Sequence, residues 1–393
     1  MRNYSTIFRQ ILNMIPRRQF DYESSKGGYN KYTKHFTVWN QFLVNLYAQL
    51  SGKKSLRDVE SGLQVQYKDW YHLGLKNISR SQLAYSNKKR DYRIFKNLYY
   101  HIFSKCSSFT PKHKFKFKNP LYALDSSTIS LCLSIFPWAK FRKKKGALKL
   151  HTLLDLKGSI PSFITVTDGK QHDVKIAKES ALPLSQDSII VCDKAYIDFE
   201  WLYKLNNLGI FFVTRMKDNM DYDVLGQHKK IKNSKIYDDF FITLFSKKSL
   251  EKYPDKLRII EFYDDETGQD LYFMTNNFHL AASTIANIYK SRWNIELFFK
   301  WIKQNLKIKT FLGTSENAVM TQIWTAMIYY LLLTYIKFQT KLSYSLLHFT
   351  RVIKEALFKK MDIIDILNIN PNKIKQAREP CRQRTLFNQK DFL

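Results

Sequence analysis

The sequence predicts an α/β protein in which a sheet-centred core lies between a strongly basic helical N-terminal region and a helical C-terminal region. Two observations predict it. Apolar residues recur at helical spacing up to about residue 118, alternate or run unbroken over strand lengths from about 119, and return to helical spacing from about 313. The run "TPKHKFKFKNP", with two prolines and alternating lysines, marks the first change and suits a linker or an extended basic arm. The chain therefore divides into residues 1–118, 119–312 and 313–393.

In the first region "WNQFLVNLYAQLSGKKSLRDVESGL" and "RDYRIFKNLYYHIFSK" carry helical periodicity. In the second, "LYALDSSTISLCLS" and "GALKLHTLLDLKGSIPSFITVTDG" supply three or four successive antiparallel strands, with turns at Lys145-Gly146, Lys157-Gly158 and Asp168-Gly169. "DVKIAKESALPL" then reads as a helix, and "DSIIVCD" as a short apolar strand buried on both faces. "DFEWLYKLNNLG" reads as a helix and "IFFVTRM" as a strand. Three strands, helix, strand, helix, strand is the order of a ribonuclease H-like core. Residues 216–276 return to strands and polar turns, an inserted β-rich segment ahead of the core's last helix.

Charge narrows the function. Lys and Arg number 64 against 34 Asp and Glu, a formal +30, and residues 1–120 alone hold 23 basic and 6 acidic side chains. Such an excess repels itself unless a polyanion is a regular partner, and nucleic acid is the leading candidate. An AT-rich genome that inflates lysine everywhere is the plainer alternative, and the concentration of the excess in residues 1–120 argues against it. Four dispersed cysteines form no CxxC pair, which gives no support to a zinc knuckle or a disulfide framework and fits a reducing cytoplasm. The apolar run "IWTAMIYYLLLTYI" is short for a bilayer and reads as a buried helix, and no secretory signal is expected at the start.

The stretch "YKSRWNIELFFKWIK" carries the chemistry. At about 100° per residue, Tyr289, Arg292, Glu296 and Lys303 fall within an arc of about 60°, with Lys300 beside them. Ile295, Phe298, Ile302 and Leu306 form a separate apolar stripe that docks on a core. Arg292 and Glu296, at i and i+4, also read as an ordinary surface ion pair. Two further acids favour a site. Asp125 lies within the first strand and Asp193 ends the strand "SIIVCD", where an unpaired carboxylate is costly, although a turn or capping role serves either. In a ribonuclease H-like sheet these strands are neighbours, and the last helix can carry Glu296 over them. Three carboxylates gathered in a basic protein suit two Mg²⁺ ions, with Mn²⁺ as a substitute, about 3.5 to 4 Å apart, for in-line displacement at phosphorus.

Tyr289, Arg292, Glu296 and Lys303 fit Y-x2-R-x3-E-x6-K. With Asp125 and the "DKAY" that begins at Asp193, the chain resembles the bacterial DDE transposases of insertion sequence family four. The resemblance covers nearly the whole chain. It implies a DNA transposase acting as a homodimer on terminal inverted repeats and on target DNA, with Mg²⁺-dependent cut-and-paste cleavage and strand transfer through a hairpin intermediate. It also implies that Asp125, Asp193 and Glu296 are the catalytic metal ligands, and that Tyr289, Arg292 and Lys303 touch phosphate near the cut. The family's tryptophan that holds a displaced base from the inserted segment has no counterpart, because residues 207–288 contain no Trp.

Arg142, Lys143, Lys144 and Lys145 form a basic turn that could straddle DNA or simply be solvated, and His172 and Asp173 fall near the active edge of the sheet. No glycine-rich phosphate loop or GxSxG elbow occurs. "HFTR" at 348–351 resembles part of a tyrosine recombinase site, yet no tyrosine follows Tyr344 to act as nucleophile. The alternative is a non-catalytic, transposase-derived DNA-binding protein.

Overall fold

The structure is a computed structural model that describes residues 5–75, 78–111, 113–142, 145–228, 235–305 and 311–368. The N-terminal helices are α1 (Ile7–Asn13), α2 (Arg17–Lys26), α3 (Val38–Ser51), α4 (Leu56–Val65), α5 (Trp70–Leu73), α6 (Arg80–Lys89) and α7 (Arg93–Ser107). The periodic stretch from Trp39 to Leu63 is two helices rather than one. Gly52 caps α3 in the left-handed region at φ 66°, which glycine enters without steric cost, and Ser55 caps α4 by accepting from the Asp58 N–H. A buried amide cluster ties α3 to α6: Gln41 and Asn45 both donate to the Asn87 side-chain oxygen, at 3.0 and 2.9 Å.

The core strands are β1 (Leu121–Leu131), β2 (Lys140–Arg142), β3 (Lys145–Asp155), β4 (Ile160–Asp168), β5 (Ile189–Cys192) and β6 (Phe211–Arg215), with α8 (Asp173–Glu179) and α9 (Phe199–Asn207) before and after β5. β3 pairs antiparallel with β1 and β4, whereas β5 runs parallel to both β1 and β6. The spatial order β4-β3-β1-β5-β6 completes the ribonuclease H-like core expected from the element order. The insertion then supplies β7 (Tyr222–Gln227), β8 (Ile236–Leu244), α10 (Lys247–Lys252), β9 (Leu257–Asp264) and β10 (Gln269–Thr275). These strands do not form a separate sheet. β10 pairs antiparallel with β6, and β9, β8 and β7 follow in turn, so the core sheet continues to ten strands.

Alternation along β1 explains why the sheet is covered on both faces. Leu121, Ala123 and Ile129 join the cluster under α11 (Ala282–Ser291), α12 (Trp293–Asn305) and α13 (Glu316–Thr340). Leu124 joins the opposite cluster, with Trp201, Leu202 and Leu205 of α9. All four residues of β5 are buried.

By length and composition α13 could cross a membrane, but 94% of its apolar window is buried, which agrees with a core helix. It packs against α3, α6 and α7, so N-terminal and C-terminal helices share one core. The helices α14 (Leu346–Ala356) and α15 (Ile363–Leu367) complete the described chain, and Ile7 and Phe8 donate backbone hydrogen bonds to Lys359 and Leu357. The basic tail after residue 368 lies outside the described residues.

Candidate active site

The parallel register sets Leu124 opposite Cys192, so Asp125 and Asp193 are the next residues on adjacent strands. β1 continues past this point while β5 stops. Asp193 opens a short 3-10 turn and accepts from the Lys194 N–H at 2.6 Å. Asp125 accepts from the Ser126 N–H at 2.7 Å.

Two helices carry the remaining residues: α12 packs on β1, and α11 packs on β5, β6 and β10. The sequence reads them as one, but the chain turns at Arg292 between α11 and α12. Ile295, Phe298, Phe299 and Ile302 are buried against the core, which aims Glu296 at β1. Tyr289 is half-buried with its ring 4.7 Å from that of Phe273. Arg292 bridges the acids: its Nη1 stands 3.4 Å from Asp125 Oδ2 and its Nη2 2.6 Å from Glu296 Oε1. The i, i+4 pair that the spacing allows is therefore present, part-buried rather than on an open surface, and the same guanidinium reaches Asp125.

Burial pushes the Asp125 carboxyl up to about 6, and the neighbouring negative charges of Asp193 and Glu296 add to that rise. The Ser126 N–H and the Arg292 guanidinium oppose it. A cleft of about 450 Å³ opens here, lined by Asp125, Glu296, Lys300, Lys303 and Gln304 among others. Among the described residues no three His, Cys, Asp or Glu side chains stand together as a ready metal site, and Arg292 lies between Asp125 and Glu296. The donor set is nevertheless all carboxylate, the chemistry a hard divalent ion takes. The pairing of two of these acids with one guanidinium shows that they face a common positive charge.

The basic turn is only partly visible. Arg142 and Lys145 pair across the β2–β3 hairpin, and Lys143 and Lys144 lie outside the described residues. His172 precedes α8 without a side-chain capping bond. On the face of the sheet opposite Asp125 lies a polar group of which the sequence reading named only Asp173. Ser126 pairs with His151, whose Nδ1 is 3.3 Å from Asp173 Oδ1, and Lys149 Nζ is 3.1 Å from Asp173 Oδ2. Burial would raise the Asp173 carboxyl, but hydrogen bonds from His151, Ser126 and Lys149 outweigh it and hold it at about 2. Strand alternation around Asp125 was the available signal, since it sends Ser126 to that face. Trp293, beside Arg292, was also missed and is 59% exposed with Leu297 close by in sequence.

Comparison with known proteins agrees with the fold. Residues 116–332 match the transposase DDE domain, and residues 3–76 match a domain of unknown function, DUF4372. The "Probable transposase for insertion sequence element IS5377" of Geobacillus stearothermophilus is 30% identical over 360 residues, 89% of this chain and 91% of that protein. A chain of Sinorhizobium fredii named as a transposase, y4zB, is 33% identical over 266 residues, 66% of this chain and 73% of its own length. One of Synechocystis, named for insertion sequence element IS4SA, is 24% identical over 296 residues, 73% of this chain and 80% of that protein. Matched by the domain over more than half its length and by a relative along nearly all of it, this chain belongs to the DDE transposases, metal-dependent enzymes that cut DNA and transfer the cut strand.

Proposed function

We propose that this transposase is of insertion sequence family four and moves its element by cut-and-paste, binding terminal inverted repeats as a homodimer in the bacterial cytoplasm. The observation that carries the reading is the meeting of Asp125 and Glu296, distant in the chain, on one guanidinium beside Asp193. Asp125, Asp193 and Glu296 would hold two Mg²⁺ ions, with Mn²⁺ able to substitute. Bound there, divalent ions activate a water or 3′-hydroxyl and stabilise the leaving oxygen in an in-line displacement.

The chain's own residues position the DNA. Lys300 and Lys303 line the cleft beside the acids and suit the scissile phosphate. Arg292, once exchanged from carboxylate to phosphate, presents a planar pair of donors to it, and Tyr289 backs the guanidinium with its ring 5.7 Å away. The exposed Trp293 offers an aromatic face for a base displaced during hairpin formation. Residues 1–118 are the repeat-binding domain in this reading, 119–312 the catalytic domain, and 313–393 add DNA or dimer contacts. Target DNA then enters the same cleft after excision.

The test is a fragment carrying the element's own ends, incubated with purified protein and Mg²⁺. Cutting at the repeat boundary that leaves a 3′-hydroxyl is expected, with repeat affinity falling linearly in log salt at a slope of roughly −0.9 per neutralised phosphate. Salt-sensitive binding with no cutting at any divalent concentration would instead fit the non-catalytic alternative.

A further inference from the structure

The connector that leads into β1 is not a free arm. From His113 to Lys118 its residues alternate between half-buried and exposed: His113, Phe115 and Phe117 turn inward, and Lys114, Lys116 and Lys118 outward. The Phe115 and Phe117 rings stack at 5.1 Å with 17° between their planes, and the His113 ring lies 4.9 Å from Phe117. His113 Nε2 is 3.0 Å from the Asn119 carbonyl oxygen, which fixes the imidazole tilted against the stacked pair. The aromatic rings line a cleft of about 590 Å³, within the usual range for a small-molecule site. Lys116, Lys118 and Lys157 also line it. Asp155, on the same wall, accepts from the Lys157 backbone N–H at 2.8 Å. The cleft begins at Leu121 and Tyr122, about 10 Å along β1 from Asp125.

We infer that this cleft holds an unpaired nucleotide of a DNA strand, its base against the Phe115–Phe117–His113 rings and its phosphates on Lys116, Lys118 and Lys157. Flat apolar faces accept any base, and a rim of ammonium groups follows a phosphate backbone, the two parts of a sequence-tolerant single-strand site. The inference rests on the DNA-acting reading above and extends it to unpaired strand away from the carboxylates.

The full chain is titrated, in chelator, with a labelled short oligothymidine and with a blunt duplex. Phe117→Leu keeps apolar bulk without the ring, and Lys116→Gln with Lys118→Gln removes charge without touching the core. Each is expected to weaken single-strand binding roughly ten-fold while leaving duplex affinity within two-fold. Parent-like single-strand affinity in both variants would overturn the inference, as would equal losses on both DNA forms. Thymidine monophosphate distinguishes the sources: competition only at millimolar concentration supports a strand site, whereas micromolar competition would make it a free-nucleotide site and overturn the strand assignment. Cleavage plays no part in this measurement. Its failure therefore leaves the catalytic reading standing, while loss of all DNA binding by the parent would remove both.

Discussion

Asp125→Asn protein is expected to bind its terminal repeats as tightly as the parent and to lose strand cleavage by roughly a hundred- to a thousand-fold, the scale of removing one preorganised charge-stabilising group from a site. The substitution preserves shape. It removes a carboxylate that stands beside Asp193 and faces, through Arg292, the carboxylate of Glu296. Gel-shift and end-labelled cleavage assays on the same preparation read the two effects separately. Stability should move the other way. Burial holds the Asp125 carboxyl at about 6, above the 3.8 of an ordinary aspartate. The folded chain therefore binds the extra proton, and the stabilisation present below pH about 4 is lost as the pH rises through about 6. At pH 7 without metal the asparagine variant should be as stable as the parent or more so, by up to about 3 kcal/mol. A site that cuts well by gathering acids is paid for in fold stability, and a lower melting temperature for Asp125→Asn would contradict that account.

The largest loss of stability is expected at Arg258→Ala. Arg258 is wholly buried in β9, donating to Asp239 of β8 through Nε at 2.8 Å and Nη2 at 2.7 Å. Its Nη1 reaches the Asn277 and Leu280 carbonyl oxygens at 3.0 and 2.7 Å, just ahead of α11. Removing the guanidinium strands a buried carboxylate and two carbonyls, a cost of about 3 to 5 kcal/mol in a denaturant titration. The apolar pair Arg258→Met with Asp239→Leu should recover much of it, because charge burial is expensive for both partners. Since the segment it clamps leads into the helix that ends at Tyr289 and Arg292, a folded fraction of the single variant should also cleave more slowly.

Much of this site was legible in the sequence because its parts obey local rules. The apolar run from Ile189 to Cys192 announces a strand buried on both faces, and its terminal Asp193 is conspicuous for that reason. The arc shared by Arg292, Glu296 and Lys303 follows from helical spacing, and the structure puts all three around one cleft or its bridging guanidinium. What stayed hidden depends on contacts between distant segments. Residues 216–276 read as strands, but nothing local says that β10 adds to the free edge of β6 and extends the core sheet. Arg258 looks like a surface residue in an apolar strand until its partners on β8 and before α11 are seen. Arg292 reads as a phosphate contact and as the i, i+4 partner of Glu296, and only the fold reveals that it also reaches Asp125. The lysine alternation of the connector suggested an extended arm, whereas the phenylalanines between those lysines hold it against the core.

The most direct measurement of the central claim is the position of Mn²⁺ in crystals of the protein bound to its terminal DNA, located by anomalous scattering. Manganese in direct coordination with Asp125, Asp193 and Glu296, and Arg292 drawn away from the acids onto phosphate, is the expected result. Manganese bound elsewhere, with Glu296 still paired to Arg292 in the DNA complex, would contradict it.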